Sequence, residues 1–259
     1  MSTTALMNVK GGTGKTTTVI NLAAQASMKK PTLMVDCDPQ GNVTKQFSEQ
    51  IAEHGERYGT VRDLFFGRTA TPIEVRKNLF LIPSGDLISV DLDIQNKMHR
   101  EYILKKSLSK IVGNYDYVFV DCPPARNLIT LNALCASDYV IIPIEAEYFS
   151  VDGAEDMIEY VTEIINEQAN EDLVLLGILV TKYDDRLNIG KWIMDEFKER
   201  GWNDALFKTM IRDNTDVSGS QFKKKTIFEY NRRSHAANDY AKLGQEVLNK
   251  IKKLEKQTV

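Results

Sequence analysis

The stretch Val9-Lys10-Gly11-Gly12-Thr13-Gly14-Lys15-Thr16-Thr17-Thr18 constrains this chain more than any other. Ahead of it, Ala5-Leu6-Met7-Asn8-Val9 reads as a strand. Behind it, Val19, Leu22, Ala23 and Ala26 share one face of a helix running to Met28. Strand, glycine-rich loop and helix together are the setting of a phosphate-binding loop. Glycines let successive backbone N–H groups converge on anionic oxygens, and the start of the following helix adds its own N–H groups and dipole. Lys15 has the reach for β- and γ-phosphates, and the Thr16 hydroxyl is placed for a magnesium ion. Lys10, Gly11, Gly12, Thr13, Gly14, Lys15, Thr16 and Thr17 are therefore the candidate residues for an ATP·Mg²⁺ site.

The strict spacing G-x-x-x-x-G-K-[ST] is not met, because Val9 holds the first glycine position. The loop carries a second lysine instead, Lys10, five residues before Lys15. Two lysines exceed what one triphosphate needs, so Lys10 is expected to do more than cradle phosphate. Two apolar runs end in acid: Thr32–Asp36, continuing into Cys37-Asp38-Pro39-Gln40-Gly41-Asn42, and Tyr117–Asp121, stopped by Cys122-Pro123-Pro124. Ligand-binding residues of an open parallel sheet collect at the carboxyl ends of its strands. Asp36, Asp38 and Asp121 thus face the crevice of the phosphate loop, and Thr16, Asp38 and Asp121 are the candidate magnesium residues.

Further buried strands read at Leu79–Pro83, Tyr139–Ile144 and Leu173–Thr181, with an amphipathic helix at Val151–Glu167. Strands alternating with helices indicate right-handed βαβ units. The expected fold is α/β, a doubly wound and mostly parallel sheet with helices on both faces. Residues 43–115 read as scaffold: one helix over Thr44–His54, another starting at Thr60, and a third opened by Thr71 as N-cap with Pro72 at its first position. At 259 residues, 42% hydrophobic, the chain is expected to form a single domain over residues 1–259. No apolar run approaches the roughly 18 residues of a membrane span, and Met1-Ser2-Thr3-Thr4 lacks a basic leader. Cys37, Cys122 and Cys135 form no C-x-x-C pair. They read as reduced core thiols of a cytoplasmic protein, against a role in a metal cluster.

Net charge is −3, but it is unevenly spread. Residues 205–259 hold 12 Lys and Arg against 6 Asp and Glu, whereas the preceding residues hold 21 against 30. A basic last quarter on an acidic body points to a local anionic partner. The final helix, Ser234 to Lys256, carries Tyr240, Leu243, Val247, Ile251 and Leu254 on one face with lysines around it. That stripe lacks the Trp and Phe that deepen membrane insertion, so packing onto the sheet is expected.

The lysine-bearing loop, D-x-D-P-Q-G-N at Asp36–Asn42 and D-C-P-P at Asp121–Pro124 together resemble the ParA/MinD family of ATPases, closest to ParA, over about residues 3–250. The resemblance implies an ATP-dependent sandwich homodimer in which Lys10 reaches the partner's nucleotide and Asp38 positions the attacking water. Lys10, Lys15 and Asp38 would then be catalytic. It puts Glu145–Phe149 and the helix after it near the sandwich interface. It sets Thr181-Lys182-Tyr183-Asp184 beside the adenine, and adds Lys182, Arg212 and Asp213 to the nucleotide residues. It further implies nonspecific double-stranded DNA as a partner, a ParB-like centromere-binding protein as activator, and a place on the nucleoid. Lys10 starts so near Met1 that no N-terminal helix-turn-helix domain is expected. Asp213 and Asp216 stand where relatives place arginine, so the DNA contacts are expected from Lys223, Lys224, Lys225, Arg232 and Arg233, with Arg212 secondary. The alternative within the family is a MinD-like positioning ATPase that uses the last helix on a membrane.

Overall fold

The computed structural model describes residues 1–55, 58–148, 150–167, 169–184 and 186–257. Phe149, part of the segment expected near a dimer interface, lies outside them. Ser2–Leu6 (β1) leads through the glycine loop into Lys15–Ser27 (α1), then Thr32–Asp36 (β2), Asn42–Gln46 (α2), Ser48–Glu53 (α3) and Val61–Phe65 (α4). Ile73–Arg76 (β3) and Leu79–Ile82 (β4) follow, then Val90–Ile94 (α5), Ile103–Leu108 (α6), Tyr117–Asp121 (β5), Leu128–Cys135 (α7) and Tyr139–Glu145 (β6). The chain ends with Ser150–Asn166 (α8), Val174–Thr181 (β7), Ile189–Glu199 (α9), Thr215–Phe222 (α10), Ile227–Tyr230 (α11) and His235–Glu255 (α12).

The seven strands form one sheet in the order β3-β4-β2-β5-β1-β6-β7, and all neighbours are parallel except β3 with β4. Period-two alternation divides the core in two. Leu33, Val35, Val118, Val120, Val140 and Ile142 face a layer that includes Leu64, Leu104, Ile129 and Met157. Leu6, Met34, Phe119 and Ile141 face the opposite layer, with Leu22, Ile227 and Leu243. Helices therefore cover both faces, as the near-continuous apolar strands require. Strands β1, β2 and β5 are adjacent, so the phosphate loop and both strand-end acids open on one edge of the sheet.

Two expectations in the scaffold are corrected. Thr71-Pro72 does not open a helix: Ile73-Glu74-Val75-Arg76 alternates buried and more exposed residues and pairs antiparallel with β4. The turn between them carries Asn78 at φ 61°, a conformation asparagine tolerates. The single helix expected over Thr44–His54 is broken at Phe47 (φ −110°, ψ 22°). Thr44 is drawn onto Asp36 on one side of the break and the Phe47 ring is buried at it, and two fixed anchors so close override helical continuity.

The last helix packs inward. Tyr240, Leu243, Val247 and Ile251 are buried against α1 and the sheet, so the apolar face that a membrane-bound helix would need is covered by the chain itself. Among the described residues no helix is long and apolar enough to cross a membrane.

Candidate nucleotide site and basic loop

The glycine loop is built from its borders inward. Asn8, directly after β1, donates its side-chain amide to the Pro143 carbonyl (2.7 Å) and accepts the Lys10 N–H (2.9 Å), clamping the loop to β6. Gly12 and Gly14 turn the chain at φ 82° and 85°, where a side chain would be strained. The Thr181 hydroxyl, at the end of β7, holds the Thr13 carbonyl at 2.9 Å. The buried Lys15 ammonium donates to the carbonyls of Asn8 (2.9 Å) and Lys10 (3.1 Å), and burial holds its pKa below the ordinary lysine value. A buried cation held by only two carbonyls at the head of a helix is poised for an anion.

The two acids at the strand ends are neighbours in register, Asp36 beside Asp121. Asp36 is fully engaged: one carboxylate oxygen accepts both the N–H (2.8 Å) and the hydroxyl (2.6 Å) of Thr44, and the other lies 3.3 Å from the Asp38 N–H. Burial pushes its pKa up to about 6. Asp121 takes the Thr16 hydroxyl on Oδ2 at 2.7 Å, while its buried Oδ1 has no hydrogen-bond partner. Burial, then the nearby Asp36 charge, raises its pKa well above the carboxylate range. A dry carboxylate oxygen without a donor, one hydrogen bond away from a loop threonine, suits a hard divalent cation. Asp38 accepts the Gln40 N–H (2.8 Å) and lines the same cavity. The residues present thus fit magnesium: Thr16 and Asp121 would hold it, with Asp38 close by.

The cavity measures about 850 Å³, within the usual size of a small-molecule site. One wall is the phosphate loop. A second is made by Thr181–Lys182 and Ile211–Asn214, two segments held side by side by Tyr183 N–H to Ile211 O (3.0 Å) and Asp213 N–H to Tyr183 O (2.9 Å). Of the nucleotide residues expected from the sequence, Gly11, Gly12, Gly14, Lys15, Thr16, Thr17, Lys182, Arg212 and Asp213 line this cavity, whereas Lys10 and Thr13 do not. Arg212 also has a partner that sequence reasoning missed: its guanidinium grips buried Asp239 of α12 at 2.9 and 2.7 Å. The Lys182 ammonium, on the cavity wall, donates to Glu145.

Lys10 differs from Lys15. Its side chain is 47% exposed and pairs with Glu147 (2.6 Å) and Glu145 (3.5 Å). The hydrogen bond from Lys10 lowers the pKa of Glu147, and Glu147 in turn raises that of Lys10. These glutamates were quoted from the sequence only as part of an interface segment. Their pairing spans more than 130 residues and has no local signal.

The basic residues separate into groups. Lys223, Lys224 and Lys225 form the turn leaving α10, and exposed Arg232 and Arg233 precede α12. Lys224 adopts φ 50° and pairs with Glu49 (3.3 Å), and Lys223 lies over the Phe222 ring.

A parallel sheet with a glycine loop at the end of β1, a buried lysine beneath it and a strand-end carboxylate bonded to the loop threonine defines a phosphate-loop nucleotide-binding protein. The AAA-domain family matches residues 1–175. The sporulation initiation inhibitor protein Soj of Bacillus subtilis is 36% identical, over 94% of this chain and 96% of its own. The chromosome partitioning protein ParA of Myxococcus xanthus is 34% identical, over 95% and 87%. The cobyrinic acid a,c-diamide synthase of Mycobacterium smegmatis, solved with ADP and magnesium, is 27% identical and superposes with a TM-score of 0.79, over 97% of this chain and 95% of that one. The chain belongs to the ParA/MinD-type partition ATPases.

Proposed function

We propose that this protein hydrolyses ATP to drive DNA partition. It binds ATP·Mg²⁺, pairs with a second copy in a nucleotide-sandwiched dimer, and coats DNA without regard to sequence. A ParB-like, centromere-bound partner then stimulates hydrolysis and releases it. The reaction is in-line attack of water on the γ-phosphate, giving ADP and phosphate. Lys15 and the loop N–H groups hold the phosphates, Asp38 orients the water, and Lys10 of the facing subunit neutralises charge that develops in the transition state. Magnesium, held by Thr16 and Asp121, would supply charge neutralisation to the phosphates. The protein acts in the cytoplasm, on the nucleoid.

The observation that carries this reading is the contrast between the two lysines of one loop. Lys15 is buried and committed to its own loop, whereas the half-exposed Lys10 stands at the rim on exposed Glu147 and buried Glu145. A lysine so placed can be handed to another subunit without dismantling the phosphate site. The test is a DNA gel shift beside lipid flotation, each with ATP and with ADP. DNA retained only with ATP supports the reading; flotation with vesicles and no DNA shift overturns it in favour of a membrane-positioning ATPase.

A further inference from the structure

The helix that carries the lysine triplet is also a wall of the nucleotide cavity. Gln221, Phe222 and Lys224 line that cavity together with Thr17 and Gln46. Gln221 donates its amide to the Thr17 hydroxyl at 2.7 Å, across 204 residues of sequence, and Thr17 is the third residue of the helix that opens at the phosphate loop. Gln46, in the helix that follows the Asp38 loop, donates to the Lys225 carbonyl (3.0 Å), and Asn21 of α1 accepts the Ile227 N–H (2.9 Å). The triplet is thereby bracketed by hydrogen bonds to the two elements that border the phosphates.

The end of α10 transmits position rather than absorbing it. The Lys225 N–H returns to the Ser220 carbonyl (2.9 Å) and the Lys224 N–H to Gln221 (3.0 Å), closing the helix through a left-handed residue at Lys224. A turn closed this way moves with its helix, so a shift of Gln221 carries the triplet with it. Phe222, 83% exposed, offers no packing that would hold the helix end in place by itself. Polar contacts to Thr17 and Gln46 hold it, beside the Lys224–Glu49 pair and the Asn231 amide on Asp216.

We infer that Gln221 is a positioning residue that couples the nucleotide to the basic loop: it senses the phosphate-proximal hydroxyl of Thr17 and sets where Lys223–Lys225 stand, so nucleotide controls DNA binding within each subunit. The inference rests on the DNA reading proposed above and adds a route that does not require dimerisation.

Two measurements on the full chain test it. Hydrogen exchange of dilute protein with saturating ADP, shown monomeric by light scattering, should slow at residues 215–225 relative to protein without nucleotide. In Gln221→Ala and Gln221→Met that slowing should be lost, although direct titration shows ADP bound. DNA affinity at saturating ATP, compared at equal dimer fraction, should fall about tenfold in both variants, a size usual for coupled sites. If ADP leaves α10 exchange unchanged in the parent, or if both variants match the parent in DNA affinity, the inference is overturned. If the parent binds no DNA with ATP, the partition reading fails, and the inferred coupling to DNA falls with it. The exchange result then still decides whether Gln221 senses nucleotide.

Discussion

Asp36 and Asp121 end adjacent parallel strands in register, yet only Asp121 keeps a buried oxygen without a donor. Asp36 spends its carboxylate on Thr44 and the Asp38 N–H. Two acids with the same sequence signature, an apolar strand ending in a carboxylate, thus divide into a structural anchor and the acid proposed here for the cation. Asp121→Asn should weaken ADP binding in magnesium, and chelating the metal should weaken the parent while leaving the variant unchanged. Asp36→Ala should instead cost about 1–3 kcal/mol of stability, because Thr44 loses the acceptor for two donors. Calorimetric titration with and without chelator, beside urea unfolding, separates the two roles. Equal metal dependence in Asp121→Asn and parent would remove Asp121 from the cation site.

Lys10 rests on glutamates of its own subunit, so removing it should not disturb the loop that Asn8, Thr181 and Lys15 hold. Lys10→Ala is expected to bind nucleotide normally but to lose ATP-dependent dimerisation and hydrolysis together. Light scattering with ATP checks this, and an undiminished dimer would end the cross-subunit role.

Arg212 carries a structural load. Its paired hydrogen bonds to Asp239, which is 7% exposed, tie the segment after β7 to α12. Arg212→Ala should lower stability by about 1.5–3 kcal/mol, the range for hydrogen bonds to a charged group, since Asp239 is left buried without its cation. Its effect on the salt dependence of DNA binding should be smaller than that of any lysine in the triplet. A fully stable variant with a reduced salt slope would make Arg212 a DNA contact first.

The phosphate loop was legible because its chemistry is local: glycines, lysine and threonine act through their own backbone and nearest neighbours. The two-faced sheet was legible because β2, β5 and β6 are apolar along their middles, with the acids only at their ends. What could not be read is pairing at long range. Glu147 under Lys10, Asp239 under Arg212 and Gln221 on Thr17 join positions 137, 27 and 204 residues apart, and nothing in either partner's surroundings announces the other. The misread Thr71-Pro72 failed for a different reason. A Thr-Pro pair starts helices and precedes edge strands alike, and the alternation after it, Ile-Glu-Val-Arg, was the better signal.

Alkaline pH should unfold this protein earlier than its core would suggest. Burial raises the Cys135 thiol to about 11 and the Tyr160 and Tyr240 hydroxyls to about 12. Above about pH 8.5 the unfolded thiol ionises, and above about pH 10 the unfolded phenols follow, while the folded forms keep their protons. The unfolded state then binds fewer protons, so stability falls as pH rises, by up to about 1.4 kcal/mol per pH unit for each group between its two pKa values. Urea midpoints between pH 8 and 10.5 should decline, and Cys135→Ala should decline less steeply. A flat profile would show that these groups ionise equally in both states.

The basic turn gives the sharpest test of the DNA surface. Nonspecific binding rests on phosphate neutralisation, so it should weaken steeply with salt and hardly with sequence. One subunit offers a small cationic patch on a net-acidic body, and two patches joined in the proposed ATP dimer should bind far better than one. Within the triplet, Lys223 and Lys225 are exposed, whereas Lys224 is half-buried and shares its charge with Glu49. Lys223→Ala and Lys225→Ala should each reduce the log–log salt slope by roughly one. Lys224→Ala should do less, and Glu49→Gln should strengthen binding by freeing Lys224. The triple variant at 223–225 should still dimerise with ATP, because none of its side chains touches Lys10, Glu145 or Glu147 in the structure. If that dimer binds DNA with the parent's affinity and salt slope, the turn is a solvated loop and the DNA surface lies with Arg232 and Arg233 or elsewhere.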